Sequence, residues 1–507
     1  MTSIERNVLR AAVFLSGAML MAAEISAFRI VGKTFGTALR ETTAVIAIFL
    51  TAMSAGYWAG GRAGDRWPRP HTIVTVLLGA AVTLLWVPWL DAWSSPRIAA
   101  SGINMSVHAL IATSVLFAIP TALFAAVSPI AVRLFATNTG ESGSTAGSIS
   151  AISTVGSIAG SIFTAYFLLD WLESISRTLI FVSYAAALTA AVLLLSCASR
   201  AALRRWAPVL GLAAIAAVPL VLWARSASID KSLTQDSFGW KSVFVGDSSY
   251  HHIIVRQHAD QVRHLFFGQS LQSSMYMKDP FGPGLKYSAA VHIGKLIRPD
   301  IKRVLIIGLG GGTLPRQFTH YYPEVVVDVV EIDPMVVDVA KQFFQVEAND
   351  RLRIHVIDGR RFLQRSSEKW DLILLDAYTT NRYGGTVVAH LTTREFLTMA
   401  ASHLNPGGVL HFHVAFGETR LRSALQKTIG SVFSSVLSTE GEIIASDTPL
   451  ITTKEVISER ARSSPAGRLP HMASYITTLG PPPPPSAYVP LLTDDYAPVD
   501  TLMRQTY

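Results

Sequence analysis

Four hydrophobic runs in the second half of the chain end in residues able to do chemistry. The first is Val304-Leu-Ile-Ile-Gly-Leu-Gly-Gly-Gly-Thr313, where Gly308, Gly310 and Gly312 allow a backbone to approach a ligand closely. The second, Val329-Val-Glu-Ile-Asp333, places Glu331 and Asp333 about twenty residues further on, the spacing at which a carboxylate accepts both hydroxyls of a ribose. The third, His355-Val-Ile-Asp-Gly359, offers Asp358 beside Gly359, in reach of an adenine edge. Together they point to a bound adenine nucleoside. The fourth run, Leu372-Ile-Leu-Leu-Asp376, ends in a carboxylate that could take a proton from an attacking amine or bind a cation. The alternative for Asp376 is a helix cap.

These residues need a sheet that delivers strand ends to one edge. Arg303–Ile307, Val325–Ile332, Leu352–Ile357, Leu372–Leu375 and Val409–Val414 read as strands. Thr313–Tyr321, Met335–Phe344 and Thr393–His403 read as helices. The alternation predicts a mostly parallel, doubly wound sheet with its ligand at the strands' carboxyl ends. Upstream, Ser242–Val245, Ile253–Gln257 and Arg263–Phe267, with a turn at His258-Ala-Asp-Gln261, predict a small antiparallel sheet. Pro481–Pro485 reads as a polyproline II spacer.

The first half is of another kind. The 507-residue chain is 50% hydrophobic and only 15% charged, with a mean hydropathy of +0.36, and the apolar excess lies before residue 225. Seven runs have the roughly 17–25 residues that a bilayer span needs. They are Val8–Ile30, Thr42–Gly60, Thr72–Leu90, Val107–Val132, Gly147–Leu169, Thr178–Cys197 and Ala207–Trp223. The first is too long for a signal-peptide core and reads as a span. Pro120 and Pro129 predict a kink or break in the fourth. Gly147, Ser150, Ser153, Ser157 and Gly160 predict close helix packing by the fifth. Glu24 and Arg29 in the first span are either part of a substrate or proton path or an interfacial ion pair. The net charge of +8 comes largely from arginines between apolar runs, so it reads as membrane-flanking charge and not as a nucleic-acid surface. Nine Lys or Arg on one side against seven on the other leave the orientation open. With seven crossings and a cytoplasmic N-terminus the soluble half would lie outside, where a nucleoside is scarce. Either the N-terminus is outside or one run does not cross. Cys197 alone excludes a disulfide framework and a cysteine metal cluster. His251, His252, His411 and His413 lack an obvious third ligand, so no metal is expected and these histidines read as structural.

Gly308–Gly312, Glu331-Ile-Asp333, Asp358-Gly359 and Asp376 resemble the cofactor half of the spermidine synthases, the aminopropyltransferases. So do Asp247-Ser-Ser-Tyr250, the stretch from Gly268 to Gln272-Ser273, and Tyr287 shortly before His292. Met21-Ala-Ala-Glu-Ile25, Gly56-Tyr-Trp-Ala-Gly-Gly-Arg62 and Ser128-Pro129 resemble the membrane-fused branch of that family. His390-Leu-Thr-Thr-Arg-Glu-Phe396 and Leu492-Thr-Asp-Asp-Tyr-Ala-Pro498 resemble it too. The resemblance implies a Rossmann-like domain of the class I S-adenosylmethionine methyltransferase type over 299–507. A small β domain over 240–298 and a helical membrane domain over 1–225 would precede it. It implies a transferase of polyamine metabolism that uses decarboxylated S-adenosylmethionine, or S-adenosylmethionine itself, as co-substrate. It further implies Asp376 as the base, Tyr287 orienting the amine, Glu331 on the ribose, Asp358 on the adenine and Gln272 near the donor's chain. The expected partners are a small amine and the lipid bilayer of the cell inner membrane, with the catalytic part on the cytoplasmic side; a homodimer is left open.

Three positions depart from the family's pattern. Its glycine loop carries an Asp where this chain has Gly311. Its fourth strand is followed by a second Asp, absent from Asp376-Ala-Tyr-Thr-Thr380. A Glu follows its tyrosine, where Tyr287 is followed by Ser288-Ala289. A dicationic diamine favours several carboxylates, because a desolvated ammonium needs paired charge. The readings left open are therefore transfer to a different amine, an S-adenosylmethionine methyltransferase, and a sensor or transporter that binds nucleoside or polyamine without turnover.

Overall fold

The computed structural model describes residues 2–503 except 36–38, 102, 104–106, 137–141, 173, 198–238, 260, 382–383, 415–419, 451–452 and 487. It divides into two compact units, Met1–Leu233 with Gly246–Tyr250, and Thr234–Val245 with His251–Tyr507.

The first unit is helical: α1 (Ser3–Phe35), α2 (Leu39–Arg66), α3 (Pro70–Leu85), α4 (Val87–Ala99), α5 (His108–Phe135), α6 (Ser142–Phe163) and α7 (Ile175–Cys197). Five helices are long and apolar enough to cross a membrane, or six if the bent pair α3–α4 counts as one span. The predicted run Thr72–Leu90 is not one helix. It turns by 48° at Trp86, because Pro88 lacks the N–H that would continue the ladder. The expected break in the fourth run does not occur, and α5 continues through Pro120 and Pro129. Ser16 Oγ of α1 donates to the Phe124 carbonyl of α5 at 2.9 Å, a bond that ties the two helices together. Small residues on α6 pack as expected: a Cβ at Gly156 would lie 2.0 Å from the Phe14 carbonyl oxygen, and one at Gly160 2.3 Å from that of Ala18. Gly147, by contrast, faces open space. The run Ala207–Trp223 lies outside the described residues.

The second unit begins with an antiparallel sheet in the order β1 (Trp240–Asp247), β2 (His252–His258), β3 (Val262–Phe267), β4 (Ser270–Tyr276). Strand β4 was not expected from its polar sequence. Alternate residues Ile253, Val255, Leu265, Phe267 and Met275 form a core with Val336, Val339 and Phe344 of helix α9 (Pro334–Phe344). Helix α8 (Thr313–Tyr321) precedes α9.

The large sheet has seven strands. They are β5 (Arg303–Ile307), β6 (Val326–Glu331), β7 (Leu352–Val356), β8 (Trp370–Leu375), β11 (Leu404–His413), β12 (Ser435–Thr439) and β13 (Glu442–Ser446). The hairpin β9 (Tyr378–Asn381) and β10 (Gly384–Val387) stands apart from it. Helices α10 (Gly359–Arg365), α11 (Arg394–Ser402) and α12 (Arg420–Gly430) complete the connections used below. The order is β7-β6-β5-β8-β11-β13-β12, parallel throughout except that β13 runs against both neighbours. This is a Rossmann-like sheet, mostly parallel as expected, with β13 as its one reversed strand.

Apolar runs without alternation mark strands covered on both faces. In β5 and β8, Val304, Ile306, Leu372 and Leu374 enter one core, and Leu305, Ile307, Ile373 and Leu375 the other. Each such side chain stabilises by roughly 1.5–3 kcal/mol. Strand order reverses between β5 and β8, so a crevice opens at their carboxyl ends.

Among the described residues, the hydrophobic cores of the second unit draw on positions from 243 onward. A fragment starting near Trp240 should therefore fold alone and unfold in one cooperative transition, read by circular dichroism. An insoluble or non-cooperative fragment would show that the helical unit is needed for folding.

Candidate active site

The crevice holds a cavity of about 370 Å³. At its centre the loop after β5 meets the end of β8. Gly308 has φ +107°, and a Cβ there would lie 2.2 Å from the Asp376 carbonyl oxygen, so only glycine fits. Three carboxylates reach the cavity from successive strand ends: Glu331, Asp358 and Asp376.

Glu331 ends β6 and is almost fully buried. Its Oε2 accepts from the Leu309 N–H at 3.0 Å, and its Oε1 from the Asp333 N–H at 3.0 Å. The carboxylate therefore ties the glycine loop to the β6 loop and retains lone pairs for a ligand. Burial pushes its pKa up. Asp358 caps α10 through the Arg361 N–H at 2.9 Å and accepts from His390 Nε2 at 2.8 Å; that bond holds it below the usual carboxylate range. Arg360 and Thr393 Oγ1 both hold Asp494, which fastens the predicted tail motif beside this end of the site.

Asp376 accepts the Tyr287 hydroxyl at 2.9 Å on Oδ2. Burial pushes it up to about 6, against the pull of His413 and of that hydroxyl. Burial and the neighbouring carboxylate drive the Tyr287 phenol far above its ordinary range, so it stays a donor. The Tyr287 ring stacks on His413 with centroids 3.9 Å apart and 17° between planes. Burial pushes His413 down to about 4, which leaves it neutral. Tyr378 donates to the His413 carbonyl at 2.6 Å.

Of the residues singled out in the sequence, the structure brings Gln272, Tyr287, Gly308, Gly310, Glu331, Asp358, Gly359 and Asp376 to one cavity. Gly312 and Asp333 do not line it. Gly312, at φ +68°, is the turn into α8. Asp333 is fully buried, caps α9 through the Met335 N–H at 3.0 Å and meets His251 Nδ1 at 3.3 Å. Capping is the alternative that the sequence offered for Asp376; it applies instead at Asp333 and Asp358. His251, Tyr378, His390 and His413 also line the cavity. The pattern of histidines predicts a structural place for His251 and His413, and no signal in the sequence marks Tyr378 or His390 as a site residue. The signal for His413 is its alternation with His411 opposite Glu442, which is visible only once β13 is known. Among the described residues no group of three or more His, Cys, Asp or Glu is arranged around a metal position.

The second half of the chain is similar to known proteins. The family model of the spermine/spermidine synthase domain matches residues 286–458. The polyamine aminopropyltransferase of Chromobacterium violaceum is 32% identical over 209 residues, 39% of this chain and 78% of that protein. The probable polyamine aminopropyl transferase of Bifidobacterium longum is 31% identical over 226 residues, 43% of this chain. The match spans only 47% of the length of that relative. The crystal structure of spermidine synthase from Thermotoga maritima superposes with a TM-score of 0.41 at 18% identity, covering 50% of this chain and 96% of that one.

The missing loop carboxylate has a steric reason. A Cβ at Gly311 would lie 2.7 Å from Ser273 Cβ and 3.1 Å from Phe344 Cδ1, and the Gly311 N–H donates to Ser273 Oγ at 2.9 Å. Gly311→Asp should therefore destabilise the chain by about 1–3 kcal/mol, the cost of overpacking, seen as a lower thermal midpoint. Ser273→Gly in the same chain should recover part of the loss. An unchanged midpoint for Gly311→Asp would mean that β4 yields and that packing does not exclude the carboxylate.

Proposed function

The chain belongs to the polyamine aminopropyltransferase, or spermine/spermidine synthase, family, and from that premise we propose that it transfers a carbon group from a sulfonium nucleoside to an amine. The observation that carries this is the Tyr287–Asp376 pair, set in the same cavity as the glycine loop and Glu331. A sulfonium makes its neighbouring carbons electrophilic, so the protein has mainly to position the amine and remove its proton.

In this reading Glu331 binds the two ribose hydroxyls and Asp358 the adenine amine. Gly308 and Gly310 let the loop lie against the nucleoside, and Gln272 borders the donor's chain. Asp376 receives the amine's proton, and the Tyr287 hydroxyl orients it. The donor is decarboxylated S-adenosylmethionine or S-adenosylmethionine. The packing of Ser273 under Gly311 favours the second reading, methyl transfer from intact S-adenosylmethionine, because a loop without a carboxylate does not repel the carboxylate that this donor keeps and its decarboxylated form lacks. The long apolar helices support a multi-pass protein of the inner membrane, with the site on the cytoplasmic side where sulfonium nucleosides are made.

Two variants test the assignment. Glu331→Ala should weaken methylthioadenosine binding by roughly 2–4 kcal/mol in calorimetry, since a hydrogen bond to a charged group is worth about 1.5–3 kcal/mol. Unchanged affinity would remove Glu331 from the site. Asp376→Asn should lower turnover by about 10²–10⁴ and leave nucleoside affinity nearly unchanged. Wild-type turnover should fall as pH drops through about 6, where Asp376 takes up a proton and can accept no other. An Asn variant with wild-type turnover would reject the base.

A further inference from the structure

Strand β11 sets His411 and His413 two residues apart on one face, and β13 places Glu442 directly opposite His413 in the antiparallel register. Glu442 and His411 have no exposed side-chain surface, and His413 keeps 8%. Glu442 Oε2 meets His411 Nε2 at 2.9 Å, and Oε1 meets His413 Nδ1 at 2.7 Å. A fully buried carboxylate is costly to keep, and nothing in the roles of Asp376 and Tyr287 requires it. His411 holds one oxygen away from the cavity. The other backs an imidazole that lines the cavity and stacks on Tyr287.

A carboxylate at Nδ1 fixes which imidazole nitrogen carries the hydrogen and leaves the lone pair on the other. In His413 that other nitrogen is Nε2, on a ring that keeps 8% of its side-chain surface and lines the cavity. Tyr287 thus stands between two acceptors: Asp376 at its hydroxyl and His413 against its ring face.

The geometry points to His413, held by Glu442, as a second proton acceptor for the amine, working beside Asp376. This rests on the transfer reading above. The chemistry has two protons to place. An amine enters as an ammonium and must lose one proton before its lone pair can attack; Asp376 takes that one. The nitrogen then bonds to carbon, the carbon–sulfur bond breaks with its electron pair on sulfur, and the new alkylammonium carries a second proton. His413 Nε2 takes it only in passing, because burial keeps this imidazole near 4, and the proton moves on to water; Glu442, itself pushed up to about 7 by burial, fixes the ring in place. Glu442 acts through His413 and is a positioning residue. The nitrogen leaves the transfer uncharged.

The test uses the full-length chain in detergent with a sulfonium donor and an amine that the wild type accepts. His413→Phe keeps a ring against Tyr287 and removes the lone pair; His413→Ala leaves an imidazole-sized space. Both should bind methylthioadenosine like wild type, which certifies the fold, and both should lose turnover by about 10²–10⁴, the range for a general base. Free imidazole should restore turnover to His413→Ala and not to His413→Phe. Glu442→Gln should lower kcat with KM for the donor unchanged. Wild-type kcat in His413→Phe, or a His413→Ala loss that imidazole does not relieve, overturns the proposal and leaves the transferase reading in place. A wild-type chain that turns over no donor sinks the transferase reading instead. The dyad is then decided by diethyl pyrocarbonate acylation read by peptide mass spectrometry. Acylation of His413 that Glu442→Gln slows supports the presented lone pair, and an unlabelled His413 overturns it.

Discussion

A half-buried carboxylate at the cavity wall, held by the Tyr287 phenol, sets the terms for the rest of the site. Asp376 would ionise more readily in water, and burial raises its pKa toward the range where a group both accepts and releases protons. Such a group is useful only if it is held still, and Tyr287 does this with a bond of 2.9 Å. The sheet supplies the position. Asp376 stands at the end of β8, across the switch point from β5, and its backbone is packed so tightly against Gly308 that no side chain fits there. In the proposed reading the same glycine lets a nucleoside approach and lets the proton acceptor stand beside it.

The sequence was most legible where strands are buried on both faces. The runs in β5 and β8 are continuous in Val, Leu and Ile because both cores claim them, and their ends announced Gly308 and Asp376. Helix Thr313–Tyr321 was read residue for residue, since the glycine loop fixes its start. Legibility failed where context decides. Strand β4 reads Ser-Leu-Gln-Ser-Ser-Met-Tyr and is recognisable only as the partner of β3. The β12–β13 hairpin closes the sheet edge against the parallel trend, and with it went Glu442 and any reason to notice His413. Asp333 looked like a ligand residue because it lies two positions after Glu331; its carboxylate instead caps the next helix.

The departures from the family's acidic pattern follow from packing as much as from ligand choice. Ser273 and Phe344 occupy the volume that a side chain at position 311 would need. Ser288 and Ala289, after Tyr287, are buried away from the cavity, in a core of Ala, Val and Ile. In place of a carboxylate cluster, the acceptor end of the site presents Asp376 amid the rings of Tyr287, Tyr378 and His413. Dispersion and ring contacts suit an amine with less charge than a diamine better than they suit two ammonium groups.

The account stands or falls on carbon transfer to nitrogen. The direct measurement incubates the purified chain with S-adenosylmethionine or its decarboxylated form and a panel of amines, and reads the products by mass spectrometry. The account predicts an amine heavier by the transferred group and an equal amount of the matching thioether nucleoside. Binding of the nucleoside with both donors recovered intact across the panel would contradict it, and would make this chain a receptor for what its relatives transform.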